Sequence, residues 1–156
     1  MTNMEAYKAF LAEVRKETGI DAFEPDEDGL VSVNVDEKYN INLQLIEDTA
    51  RVLCFIEVCT LKKDTPKNVY RDLLVGALFG KDTAGGYFTI EPQSETLIYN
   101  YLFELNEITK DIEDFTDTLE KMLQLCDMWI DRINTTADND EKHEELDRLT
   151  GIGMMS

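Results

Sequence analysis

Histidine and tryptophan each occur once in this chain, proline occurs three times, and basic residues are outnumbered, 15 against 33 acids. The resulting formal charge of −18 argues against a phosphate-binding surface, because nucleic acid and anionic lipid would both be repelled. Partners are expected to be neutral or basic. The lone His143 sits in a charged segment with no second histidine and no nearby cysteine, which leaves a metal or catalytic dyad without its parts. It reads as a solvated side chain. Cys54, Cys59 and Cys126 form no CxxC pair, so they read as buried thiols in a reducing compartment. No apolar run approaches the roughly 20 residues that span a bilayer, and the start Met1-Thr2-Asn3-Met4-Glu5 lacks the basic region of a signal peptide. A cytoplasmic protein with neither a nucleic-acid nor a membrane partner is expected.

Catalytic signatures are missing as well. Neither GxSxG, GxGxxG nor GxxxxGK[ST] occurs, and a nucleophile would find no histidine base. The acidic turn Glu24-Pro25-Asp26-Glu27-Asp28-Gly29 offers oxygen ligands before a glycine, as calcium loops do, but counting from Glu24 puts Val35 where the closing bidentate acid belongs. That turn reads as solvated. No catalytic, cofactor or metal residue is assigned, and the chain is not expected to be an enzyme.

What remains is a well-punctuated pattern of elements. With 43% apolar residues, 156 residues can fill one core and no more. Tyr7, Phe10, Leu11 and Val14 recur at helical spacing up to Gly19. Val31, Val33 and Val35 alternate with polar residues, then Ile41, Leu43 and Leu45 do the same across a turn at Asp36-Glu37-Lys38, predicting a hairpin with one polar face. From Arg51 to Leu61 both parities are apolar: Val52, Cys54, Ile56 and Val58 on one, Leu53, Phe55 and Cys59 on the other. This strand should be covered on both faces, although Leu53 and Phe55 could instead form an apolar strip, since the neighbouring strands turn polar. Two further strands follow Gly85-Gly86, at 87–91 and 96–105, the second placing Tyr99, Tyr101 and Phe103 on one face for the core or a subunit interface. A helix of roughly 25 residues from Thr109 then presents Ile112, Phe115, Leu119, Met122, Leu123, Cys126, Ile130 and Ile133, with Trp129 on its flank.

The helix predicted between these strand groups is greasier than its place requires. Thr65-Pro66 would cap it and open its first turn, and it should run to about Phe79. On a helical wheel Val69, Tyr70, Leu73, Leu74, Ala77 and Leu78 cover about half the circumference, with Val75 and Phe79 beyond, where a surface helix needs a stripe of only about 100°. The surplus flank predicts contact with a second copy across a two-fold axis.

The order helix, three strands, helix, two strands, helix, with the block Leu73-Leu74-Val75-Gly76-Ala77-Leu78-Phe79 followed by Gly85-Gly86-Tyr87-Phe88-Thr89-Ile90, resembles the class I type III secretion chaperones, the Tir-chaperone family, over about residues 3–134. The fold expected is α+β: a five-stranded antiparallel twisted sheet with three helices, in the order α-β-β-β-α-β-β-α, homodimeric. The resemblance implies an ATP-independent chaperone, associated with virulence, that keeps the extended N-terminal segment of a secreted effector competent for export. It implies dimer contacts at Tyr70, Leu74 and Leu78 and effector contacts at Phe10, Leu53 and Phe55. Residues 1–136 would form the chaperone domain and 137–156 an acidic mobile tail. A small acidic adaptor of the same fold, binding a folded protein, is the competing expectation.

Overall fold

The computed structural model describes residues 1–150, apart from the side chains of His143, Glu144, Asp147 and Thr150. The expectations placed on the His143 side chain and on 151–156 lie outside the described residues.

Helix α1 (Asn3–Thr18) begins where the Thr2 side chain accepts the Glu5 N–H at 3.1 Å, and ends at Gly19, whose φ of 71° lets its N–H reach the Arg15 carbonyl. Strands β1 (Val31–Val35) and β2 (Tyr39–Ile46) form a hairpin. Asp36 and Glu37 turn it with φ of 54° and 56°, the backbone hand that matches the twist of paired strands. Strand β3 (Arg51–Thr60), helix α2 (Lys67–Gly76) and strands β4 (Tyr87–Glu91) and β5 (Thr96–Glu104) follow, then a single turn α3 (Leu105–Ile108) and the long α4 (Ile112–Thr150). The five strands lie in the order β1-β2-β3-β5-β4, all neighbours antiparallel. This is the expected α+β fold and element order, with α3 as an addition.

One face of the sheet holds the core. Val31, Ile41, Leu43, Val52, Cys54, Ile56, Leu97, Tyr99 and Phe103 are buried there with Tyr7, Phe10 and Leu11 of α1 and Phe115, Leu119, Met122 and Cys126 of α4. Aromatic rings join the layers: Phe115 stands edge-on to Phe10 at 4.9 Å and to Phe103 at 5.1 Å, and Phe88 to Trp129 at 5.2 Å.

Three details depart from the sequence reading. Helix α2 opens at Lys67 and stops at Gly76, short of Phe79; Pro66, not Thr65, holds the N-cap position, and no side chain caps it. The early stop has a packing cause. Gly76 lies against the Trp129 ring so closely that a Cβ there would sit 2.6 Å from it. The Asp82 N–H then returns to the Gly76 carbonyl at 2.8 Å, and the Trp129 indole N–H donates to the Asp82 carbonyl at 2.8 Å. Trp129, placed on the flank of its helix by spacing, is thus fully buried at the joint between α2 and α4. Finally, α4 spans 39 residues rather than roughly 25, about 58 Å at 1.5 Å per residue. The boundary drawn at 136 falls inside it, and its distal part is held to α2 by a hydrogen bond from Asn68 to Asp140 at 2.8 Å.

Candidate functional site

The face of the sheet opposite the core has no helix over it among the described residues, and its two halves differ. Toward β1 and β2 it is polar: the Ser32 hydroxyl donates to the Asn42 side-chain oxygen, Asn34 donates to Asn40, and Asn42 donates to the Phe55 carbonyl. Across β3, β5 and β4 it turns apolar. Leu53 stands opposite Leu102, and Phe55 is opposite Asn100, which is opposite Tyr87 in turn; Ile98 lies beside them on β5. Leu53, Phe55 and Ile98 are half-buried, Leu102 and Tyr87 more exposed. Asn100 is buried among them and satisfies its amide on Tyr87, Thr89 and Ile98 of the sheet itself. Glu57, Glu91 and Glu104 frame this strip, and of the three Glu104 is ion-paired, with Arg51 at 3.0 Å. The expected choice for Leu53 and Phe55 between a covered face and an open strip falls to the strip.

A second uncovered surface runs along α2 and the turn after it. Leu74 is 76% exposed, Leu78 58% and Phe79 98%, with Val75 beside them. Tyr70, expected in the same group, is half-buried against the core. Opposite this ridge, α2 packs Val69, Leu73 and Gly76 inward. Between α2 and α4 lies an open polar cleft of about 690 Å³. Its most organised group is Arg132, which grips Asp72 with two nitrogens at 2.8 and 2.7 Å, reaches Asp82 at 3.1 Å and stacks 4.4 Å over the Trp129 ring. Donating hydrogen bonds to these carboxylates, chiefly that of Asp72, raises the Arg132 pKa.

Phe10 is placed otherwise than expected for an effector contact. It is 4% exposed and packs edge-on against Phe115, because it lies on the stripe that α1 turns toward the sheet. Cys54 and Cys126 lie in the core with thiols pushed up to about 12 by burial. Cys59, which alternation placed with Leu53 and Phe55, is instead half-buried against the core with its thiol raised by burial, because an irregularity between Glu57 and Cys59 sets it opposite Leu97. Sequence reasoning missed Leu102, Ile98 and Tyr87 as members of the open strip. Their parity opposite Tyr99, Tyr101 and Phe103 was the available signal, but strand order was needed to bring them beside Leu53.

A sheet packed on one face and open on the other, with an apolar helix ridge left bare, defines a small domain built to bind protein. The chain belongs to the Tir chaperone protein (CesT) family, whose sequence model matches residues 9–129. No curated protein matches this chain. Among solved structures it is similar to a chain of the ExsC-ExsE complex, with a TM-score of 0.72 at 19% identity over 83% of this chain and 94% of the other. It is also similar to a chain of the HopA1-SchA chaperone-effector complex, with a TM-score of 0.61 at 17% identity over 86% and 95%. A third likeness is to a chain of the Yersinia pestis type III secretion chaperone SycH in complex with a stable fragment of YscM2, with a TM-score of 0.57 at 19% identity over 76% and 98%. At these identities the likenesses establish the fold.

Proposed function

We propose that this chain is a type III secretion chaperone that binds a secreted effector through that protein's extended N-terminal segment and keeps it competent for export. It works in the cytoplasm, as a homodimer, without ATP and without a chemical step of its own. The observation that carries this reading is the strip of Leu53, Phe55, Ile98, Leu102 and Tyr87, left open on a sheet whose opposite face holds the core. An extended segment can place alternate side chains on such a strip, or add a strand at a sheet edge, without a folded interface of its own. The framing acids Glu57 and Glu91 favour a segment whose apolar residues are flanked by basic ones. Membership of a chaperone family supports the same reading, as does the complex of SchA with HopA1, a chaperone with its effector. Dimer contacts are assigned to Leu74 and Leu78, with Tyr70 at their margin.

The test is a tagged pull-down from the native cytoplasm, identification of bound proteins by mass spectrometry, and limited proteolysis of the complex. One partner protected only along an extended N-terminal stretch is the expected result. A partner protected as an intact folded domain would replace this reading with that of an adaptor.

A further inference from the structure

Asparagines line the open face of the sheet, and one of them keeps an unused acceptor. The Asn34 side-chain oxygen accepts the Glu37 N–H, that of Asn40 accepts the Asn34 amide, and that of Asn42 accepts the Ser32 hydroxyl. Asn100 is as buried as Asn42, each being 7% exposed. Its Nδ2 donates to the Tyr87 carbonyl at 3.2 Å, the Ile98 carbonyl at 3.3 Å and the Thr89 hydroxyl oxygen at 2.9 Å. Its Oδ1 accepts nothing among the described residues. Turning the amide over would set Oδ1 against the lone pairs of two carbonyls, so the network fixes its orientation. Among the described residues no side-chain oxygen or nitrogen sealed from solvent lacks a partner, and Oδ1 is therefore open to solvent.

We infer that Asn100 is a specificity-determining residue: its Oδ1 takes a hydrogen bond from a neutral donor side chain, a hydroxyl or a carboxamide, set between two apolar residues of the bound segment. The inference rests on the reading of the strip as an effector surface and states what the effector carries there. Asn100 occupies the middle of that strip. Phe55 lies opposite it on β3 and Tyr87 on β4, and Ile98 and Leu102 flank it on the same face of β5. Same-face residues of a strand recur about every 7 Å, which is also the spacing of alternate side chains in an extended segment. A segment lying along β5 therefore sets three successive same-side residues over Leu102, Asn100 and Ile98, in the order apolar, donor, apolar.

Desolvation selects the chemistry of the central residue. A wholly apolar segment laid over the strip would take Oδ1 from water and return nothing to it. A lysine or arginine over Asn100 would exchange its hydration for a single amide oxygen, a larger loss for a charge than for a hydroxyl. The framing acids do not remedy this. Glu57 lies a row away, opposite Ile98, and Glu91 spends its carboxylate on the N–H groups of Gln93 and Ser94 and on the Ser94 hydroxyl. Glu104 is paired with Arg51. Basic residues of the segment therefore belong at the margin of the strip, beside Glu57, and a neutral donor belongs at its centre.

The probes are synthetic peptides that carry, in order, a leucine, a spacer, a varied residue, a second spacer and a second leucine, with lysines at both ends. They are titrated against the full chain by fluorescence anisotropy, comparing threonine with valine and asparagine with leucine at the varied position. The donor of each pair should bind the parent chain about tenfold tighter than its apolar counterpart. Asn100→Leu, with its circular dichroism spectrum retained, should reverse both preferences. The comparison of peptides on the parent chain decides the point even where that variant fails to fold. Equal or reversed affinities on the parent would overturn the role given to Asn100 and leave the strip standing as the effector surface. A central lysine that binds tighter than threonine would give the position to a cation and likewise overturn the inference. If no such peptide binds, or if the paired Leu53→Ser and Phe55→Ser variant binds them as tightly as the parent, the strip reading falls and this inference with it.

Discussion

The two faces of β3 make the most instructive contrast in the molecule. Val52, Cys54, Ile56 and Val58 point into the core, and Leu53 and Phe55, interleaved with them, point the other way and remain half-exposed. Residue type does not separate the two sets, since all six are apolar. What separates them is the traffic of helices: α1 and α4 lie over one face, and α2 joins α4 rather than crossing the sheet. An apolar strand face is therefore core or binding surface according to what the rest of the chain brings over it.

The packed side should break hardest. Trp129→Ala removes a fully buried indole that touches Gly76, Phe88 and Arg132 and holds the Asp82 carbonyl. A loss of about 3–5 kcal/mol is expected from the cavity, read as a lower urea midpoint. A variant within about 1 kcal/mol of the parent would mean that the joint between α2 and α4 is not a structural unit. On the open side, the paired change Leu53→Ser and Phe55→Ser should cost no more than about 2 kcal/mol and leave the circular dichroism spectrum intact, while effector capture weakens at least tenfold. Outright unfolding would place both residues in a core.

Most of the architecture was legible because its signals are local. Alternation in 31–35 and 41–45, a turn at Asp36-Glu37, and a helical stripe at Tyr7, Phe10, Leu11 and Val14 each depend on residues close in sequence. The misses share a different origin. Phe10 was given to effector contact by the family resemblance, while its place on the helical stripe of α1 says which residues share a face but not what that face meets. Trp129 looked peripheral for the same reason, until Gly76 opened a space for it from 53 positions away. The break in α2 before Phe79 follows from that same long-range contact. Leu102, Ile98 and Tyr87 joined Leu53 and Phe55 only when the order β3-β5-β4 was known.

The smallest effect concerns the hairpin's attachment to α4. Asp127 accepts hydrogen bonds from the Lys38 ammonium at 2.5 Å and the Tyr39 hydroxyl at 2.6 Å, and these hold its carboxyl below the ordinary carboxylate value. The Lys38 ammonium is raised by the same bond. A depressed acid stabilises the fold above its unfolded pKa, near 3.8, and loses that contribution as pH falls through the folded value. A raised lysine keeps its contribution below 10.5 and loses it as pH climbs further. The urea midpoints of the parent and Asp127→Asn should therefore differ by a small constant amount between pH 5 and pH 9, bounds set about one unit inside the two ordinary values. The gap should narrow as pH falls below 3.8 toward the lowered folded value. Equal midpoints for the two proteins at neutral pH would mean that packing of the Tyr39 ring rather than charge fastens the hairpin to α4.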